Sequence, residues 1–143
     1  MGATQTTELI RRIENLVRIG TVAQVDLDGA MVRVKIEAQD EDDTTLLTNW
    51  LRWQSVRAGG VRVWSAPSVG EQCTVLSPGG DLAAGIVMPA IYSDNILPPD
   101  TSADTLVVDA AATGGITLRC GDSSLVITNS GIQISAPRID WNT

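Results

Sequence analysis

The sequence predicts a mainly β protein in three pieces: a short N-terminal helix, a small barrel and a tail of very short strands. Three observations predict it. The apolar mass is Val, Ile, Leu and Ala, with no Phe, one Tyr and four Trp (Trp50, Trp53, Trp64, Trp141); together with many Thr, this suits half-buried pleated strands. Runs with a two-residue apolar period alternate with Gly, Pro, Asn and Asp clusters. Beyond residue 104 the strands shorten and their rhythm changes. The expected boundaries are 1–18 for the helix or arm, 19–95 for the barrel, 96–104 for a linker and 105–143 for the tail.

Within the first piece, residues 5–18 have helical periodicity. Leu9, Ile13 and Leu16, and Ile10, Ile13 and Val17, recur on one side. Glu8–Arg12 and Glu14–Arg18 are opposite charges four apart, with the acid first, the better order. Thr6 or Thr7 is placed to cap the start, and Gly20 to stop the end. So short a helix is marginal alone in water. Its apolar stripe must dock, either on its own barrel or on another chain.

The barrel starts with Thr21–Leu27, an Asp28-Gly29 turn that favours positive φ, and Met31–Ala38 returning. Val32-Arg33-Val34-Lys35-Ile36 alternates strictly, one side buried and one solvated. Leu46–Ser55 reads as a third strand, with Gly60–Trp64 extending or following it. Gln72–Ser77 and Leu82–Ile91 come next, joined through Pro78-Gly79-Gly80-Asp81. Short antiparallel strands with one longer connection fit a five-stranded Greek-key barrel of the OB type. Glu37, Asp40, Glu41, Asp42 and Asp43 crowd that connection; without the spacing of a calcium loop they read as a solvated turn. Ile96 to Asp104 carries two prolines and small polar residues, a stiff exit from the sheet.

In the tail, Ile116/Leu118/Cys120, Leu125/Ile127, Ile132/Ile134 and Ile139/Trp141 fall on one side of successive short strands. Polar Thr117/Arg119, Gln133/Ser135 and Arg138/Asp140 fall on the other. A thin sheet covered on one side cannot fully bury that stripe, while ordering each residue costs about 1–2 kcal/mol. The stripe therefore calls for identical neighbours. The favoured arrangement is an intertwined trimeric β-helix or prism with Ile116, Leu118, Leu125, Ile127, Ile132, Ile134 and Ile139 inside, which also removes free sheet edges. The other arrangement folds the tail back on the barrel.

The formal net charge is −7, with one Lys against nine Arg, so a phosphate backbone is repelled and nucleic acid is not an expected partner. No run is long and apolar enough for a membrane helix, and the N-terminus lacks the pattern of a signal peptide, so synthesis in a cytoplasm is expected. Cys73 and Cys120 read as two small buried hydrophobes in different pieces. With no histidine in the chain, no Ser-His or Cys-His nucleophile can be built. No enzyme activity, cofactor or metal is expected.

Trp50-Leu51-Arg52-Trp53, Arg57-Ala58-Gly59, Arg62-x-Trp64 and Pro67-Ser68-Val69-Gly70-Glu71-Gln72, followed by Gly79-Gly80-Asp81 and Val87 to Tyr92, form a recognisable pattern. Over roughly residues 15–95 it resembles the baseplate assembly protein V family, the central spikes of contractile-tailed phages and related contractile bacteriocins. The resemblance implies a homotrimer in a virion tail baseplate or bacteriocin particle. The barrel would join the baseplate hub protein and tail tube, and the tapered β-helix would be driven mechanically through the target outer membrane on sheath contraction. Trp50, Trp53, Arg57, Gly59, Trp64, Pro67, Gly70 and Glu71 match the family pattern, as folding residues or as subunit and hub contacts. Longer members carry a His-x-His iron apex, which a chain without histidine cannot form. The expectation is instead a separate PAAR-type tip protein docking on Trp141.

Two other functions use some of the same residues. A nucleic-acid-binding OB barrel would draw on Arg33, Lys35, Arg52, Arg57 and Arg62 with Trp50 and Trp53. A trimeric fibre or adhesin stalk shares the tail but has no need of the barrel pattern.

Overall fold

The computed structural model describes residues 2–39, 41 and 43–142 and divides the chain into two compact units, one running to Leu97 and one from Pro98. The first unit holds α1 (Ala3–Glu14) and strands β1 (Val17–Asp26), β2 (Met31–Ile36), β3 (Leu46–Leu47), β4 (Leu51–Trp53), β5 (Gln72–Leu76) and β6 (Ile86–Ile91). β1 pairs with both β2 and β5, β5 with β6, β6 with β4, and β4 with β2, so five strands close a barrel of OB type. β3 extends β2 outside the ring, and the β4–β6 pairing is parallel. The alternation along the sequence leads one to expect every strand antiparallel, and this pair is the exception. The return from β4 to β6 runs through β5 and leaves the two chain directions alike.

Alternation places the core. Val22, Val32, Val34, Ile36, Leu51, Cys73, Val75 and Val87 are buried together, with Val25, Leu46, Trp53 and Leu82 packed against them. Branched aliphatic side chains fill a small barrel, and Phe is not needed. Gly20 lies in β1 where a Cβ would meet Val34 Cγ1 and would stand 2.7 Å from the Lys35 carbonyl. It is a point of close strand approach and not a helix stop.

Several local expectations are corrected. The helix spans Ala3–Glu14 and not 5–18, and its N-cap is Gly2, whose N–H donates to Gln5 Oε1 at 3.2 Å. Thr6 and Thr7 instead donate back to the carbonyls of Gly2 and Ala3 within the first turns. Glu8 pairs with Arg12 at 2.9 Å and also with Arg11 at 2.8 Å, and their hydrogen bonds hold its carboxyl down at about 2. The Glu14–Arg18 pair does not form, because pairing with β5 draws residues 17–21 into β1. Arg18 is buried; it donates to Asn15 Oδ1 at 3.0 Å and pairs with Asp43 at 2.8 Å.

At the β1–β2 turn it is Ala30, not Asp28 or Gly29, that takes positive φ, while the Gly29 N–H donates to Asp26 Oδ1. The strand read as Leu46–Ser55 splits at Thr48, whose buried hydroxyl accepts the Val34 N–H at 2.9 Å in place of a ladder carbonyl. Gly60–Trp64 is a loop with a single bridge between Ala58 and Arg62. Two 3-10 turns, Pro78–Gly80 and Leu82–Ala84, replace a plain hairpin between β5 and β6.

Of the acidic connection, Asp40 and Asp42 lie outside the described residues. Glu37 pairs with Lys35 at 2.7 Å. Asp43 accepts the N–H groups of Gln39 and Thr44, and these bonds, with Arg18 beyond them, hold its carboxyl below the usual range. A lowered value means that Asp43 stabilises the fold fully above the ordinary aspartate range and loses that contribution as pH falls through the lowered value. Asp43→Asn should therefore flatten the acid side of the melting-temperature curve, read by circular dichroism across the acid range.

The second unit is a meander of β7 (Gly115–Cys120), β8 (Ser123–Thr128) and β9 (Gly131–Ser135), all antiparallel. Residues 138–141, expected as another strand, lie outside the sheet. Pro137 interrupts the pattern, and Arg138 pairs locally with Asp140 at 2.8 Å. Both cysteines are free: Cys73 is buried, its thiol pushed up to about 11 by that burial, whereas Cys120 is exposed, against expectation.

Candidate functional site

The first candidate is the Trp- and Arg-bearing edge of the barrel. β4 points Leu51 and Trp53 inward and leaves Trp50 and Arg52 exposed. The ring of Trp64 reaches back to Trp53, centroids 5.4 Å apart and tilted, while Trp64 stays 63% exposed. Between them the loop is tied by Val63 N–H to the Arg57 carbonyl at 3.0 Å and Gly59 N–H to the Val61 carbonyl at 3.0 Å. Pro67 is buried. Gly70 takes φ +96° and donates to the Val22 carbonyl, and Glu71 Oε1 accepts the Ser68 N–H at 2.9 Å. Trp53, Trp64, Pro67, Gly70 and Glu71 thus shape the loop. Arg57 contributes its backbone to it, and Gly59 has open space around it.

This loop carries Val56, Val61, Val63 and Trp64 to the surface. From Thr44 to Gly70 the chain contains three arginines and no acid, a basic, apolar stretch in an acidic protein. Arg33 lies over the Trp50 ring at 5.9 Å, and its Nε donates to the Thr48 carbonyl at 2.8 Å. That bond ties down the guanidinium an OB barrel would offer to a phosphate. Among the described residues no group of His, Cys, Asp and Glu is arranged to hold a metal ion. Nor, among the described residues, is any helix long and apolar enough to cross a membrane.

The second candidate is one side of the meander. Register aligns Ile116, Ile127 and Ile132 in one cross-strand row, and Leu118, Leu125 and Ile134 in the next. All six belong to the stripe read from the sequence. None is buried within the chain: Leu118 is 63% and Ile132 69% exposed. Ile139 and Trp141 do not continue the rows, and Trp141 is 77% exposed.

Residues 18–92, which take in all but the first residue of the closed barrel, match the family described as the type VI secretion system/phage-baseplate injector OB domain. The chain belongs to the phage-baseplate injector OB-domain family. A similar relative is the spike protein of Escherichia phage P2, 35% identical over 129 residues. That similarity takes in 90% of this chain and 57% of the phage P2 protein. It therefore reaches past the injector OB domain into the second unit.

Two features of the barrel are not legible from the sequence. Arg18 reads as half of a helical ion pair, although its neighbours Val17 and Ile19 already alternate with it as in a strand. The exposed apolar row of Val17, Ile19, Ile86 and Met88 across β1, β5 and β6 is the other, because strand partners far apart in sequence have to be known first.

Proposed function

We propose that this chain is a structural part of a contractile-tail central spike, acting as a homotrimer. The observation that carries the reading is the unpartnered apolar side of the β7–β9 meander in a chain of the injector family. Three copies would turn Ile116, Leu118, Leu125, Ile127, Ile132 and Ile134 toward a threefold axis and bury what a lone copy leaves in water, each such side chain being worth about 1.5–3 kcal/mol when fully buried. Shared burial also covers the free edges of β7 and β9. A chain held this way cannot leave without breaking the others, which suits a part that transmits axial force.

On this reading the barrel unit joins the baseplate hub and tail tube, with Trp50, Arg57 and Trp64 at the contact. The meander unit is driven through the outer membrane when the sheath contracts. Ile139 would extend the apolar interior beyond the sheet, and Trp141 would seat a tip protein of the PAAR type. The site of action is the virion tail or a bacteriocin particle, and the role is mechanical and not enzymatic.

The test uses particles assembled with the Ile132→Asp chain. Target-cell potassium efflux should fall at least a hundredfold, with tails otherwise normal by electron microscopy. Undiminished efflux would contradict the proposal.

A further inference from the structure

Helix α1 is seated back to front. It meets its own barrel along its polar side, where Arg11, Arg12 and Asn15 line a shallow groove with Pro78, Asp81 and Leu82, although the side chains of Arg11 and Arg12 themselves stay mostly exposed. Gly80, at φ +75°, packs so closely on the Arg12 backbone that a Cβ would collide with it. The apolar stripe of Leu9, Ile10 and Ile13 is left about half exposed, and no residue of the helix is buried. An amphipathic helix normally turns that stripe toward a core.

The same unit has an unpartnered apolar sheet surface. On the outside of the barrel, register aligns Val17 with Leu76 and Ile86, and Ile19 with Thr74 and Met88, across β1, β5 and β6. Val17, Ile19, Ile86 and Met88 are all exposed. The helix cannot swing over this surface in its own chain. Its two-residue link to β1 is pinned: Leu16 N–H bonds the Ile13 carbonyl, the Leu16 carbonyl takes the Ser77 N–H at 2.9 Å, and buried Asn15 accepts from Arg18.

We infer that α1 of one copy packs through Leu9, Ile10 and Ile13 onto the outer β1–β5–β6 surface of the next copy, head to tail. The two surfaces match in size. Twelve helical residues span about 18 Å, and a six-residue strand such as β6 about 20 Å. They also match in charge. Glu14 borders the stripe one turn beyond Ile10, and Arg52 on β4 stands beside Ile86; neither makes an ion pair among the described residues. A head-to-tail contact of this kind closes into a ring at the right rotation, and here the ring is the trimer of the proposed function, on which this inference rests.

The test is cross-linking of the full chain with Cys120→Ser in the background. Ile10→Cys and Met88→Cys are combined and treated with a short bismaleimide, while native mass is measured in parallel. Covalent dimers and trimers from the double variant, and none from either single variant, are expected. Glu14→Arg should lower the yield several-fold, and adding Arg52→Glu should restore it. A trimer by mass without cross-links would overturn the helix docking and leave the spike reading standing. So would a link formed within one chain, or dimers from Ile10→Cys alone. A single-subunit mass at every concentration would overturn both.

Discussion

Replacing Leu118 and Ile134 together by aspartate will leave the purified chain as single subunits, with the barrel still folded. Both residues belong to one cross-strand row and both are exposed in the isolated chain, so the substitutions disturb little within it. In a threefold assembly they place six carboxylates around an apolar axis. Each lost aliphatic contact is worth about 1.5–3 kcal/mol, and an unpaired buried charge costs several more. No rearrangement of one short meander offsets that. The barrel core shares no residue with this row, so tryptophan fluorescence and the far-ultraviolet spectrum of the barrel should persist. A double variant that stays trimeric would remove the meander from the interface.

The second large effect falls on a glycine that the family pattern does not single out. Gly20→Ala should destabilise the barrel by about 1–3 kcal/mol through overpacking, a fall in melting temperature of about 4–8 °C per kcal/mol for a unit of this size. The added Cβ meets Val34 and the Lys35 carbonyl. The carbonyl cannot retreat freely, because Thr21 pairs with Lys35 in the β1–β2 ladder. Gly59→Ala is the contrast. It alters a residue of the recognisable pattern, yet no atom lies within 4 Å of its added Cβ, so the melting temperature should move little. A loss of assembly without a loss of stability in Gly59→Ala would mark that loop as a contact surface. Equal melting temperatures for the two variants would contradict the packing argument.

The contrast between these glycines shows what was legible before the fold was known. Strand positions followed from two-residue alternation wherever turn residues bounded them, as in Val32 to Ile36 and in the three strands of the meander. There Gly121-Asp122 and Asn129-Ser130 leave little choice of register, and the apolar rows could be named residue by residue. Non-local pairing was not legible. Residues 15–18 continue a helical period, but β5 captures Val17 onward as strand and Arg18 turns inward to Asp43. Thr48 breaks a continuous apolar run by lending its hydroxyl to the Val34 N–H, which no local pattern announces. The helix was legible as amphipathic, yet the side it presents to its own barrel is the polar one, because Gly80 admits the Arg12 backbone and the pinned link fixes the angle. The recognisable Trp and Arg residues marked a family. The residues that hold the barrel closed are ordinary valines.

Sedimentation equilibrium of the full chain at micromolar concentration tests the central claim most directly. The account predicts a species of three times the 15.1 kDa chain mass, unchanged on tenfold dilution. A folded species of one chain mass over that range would contradict it.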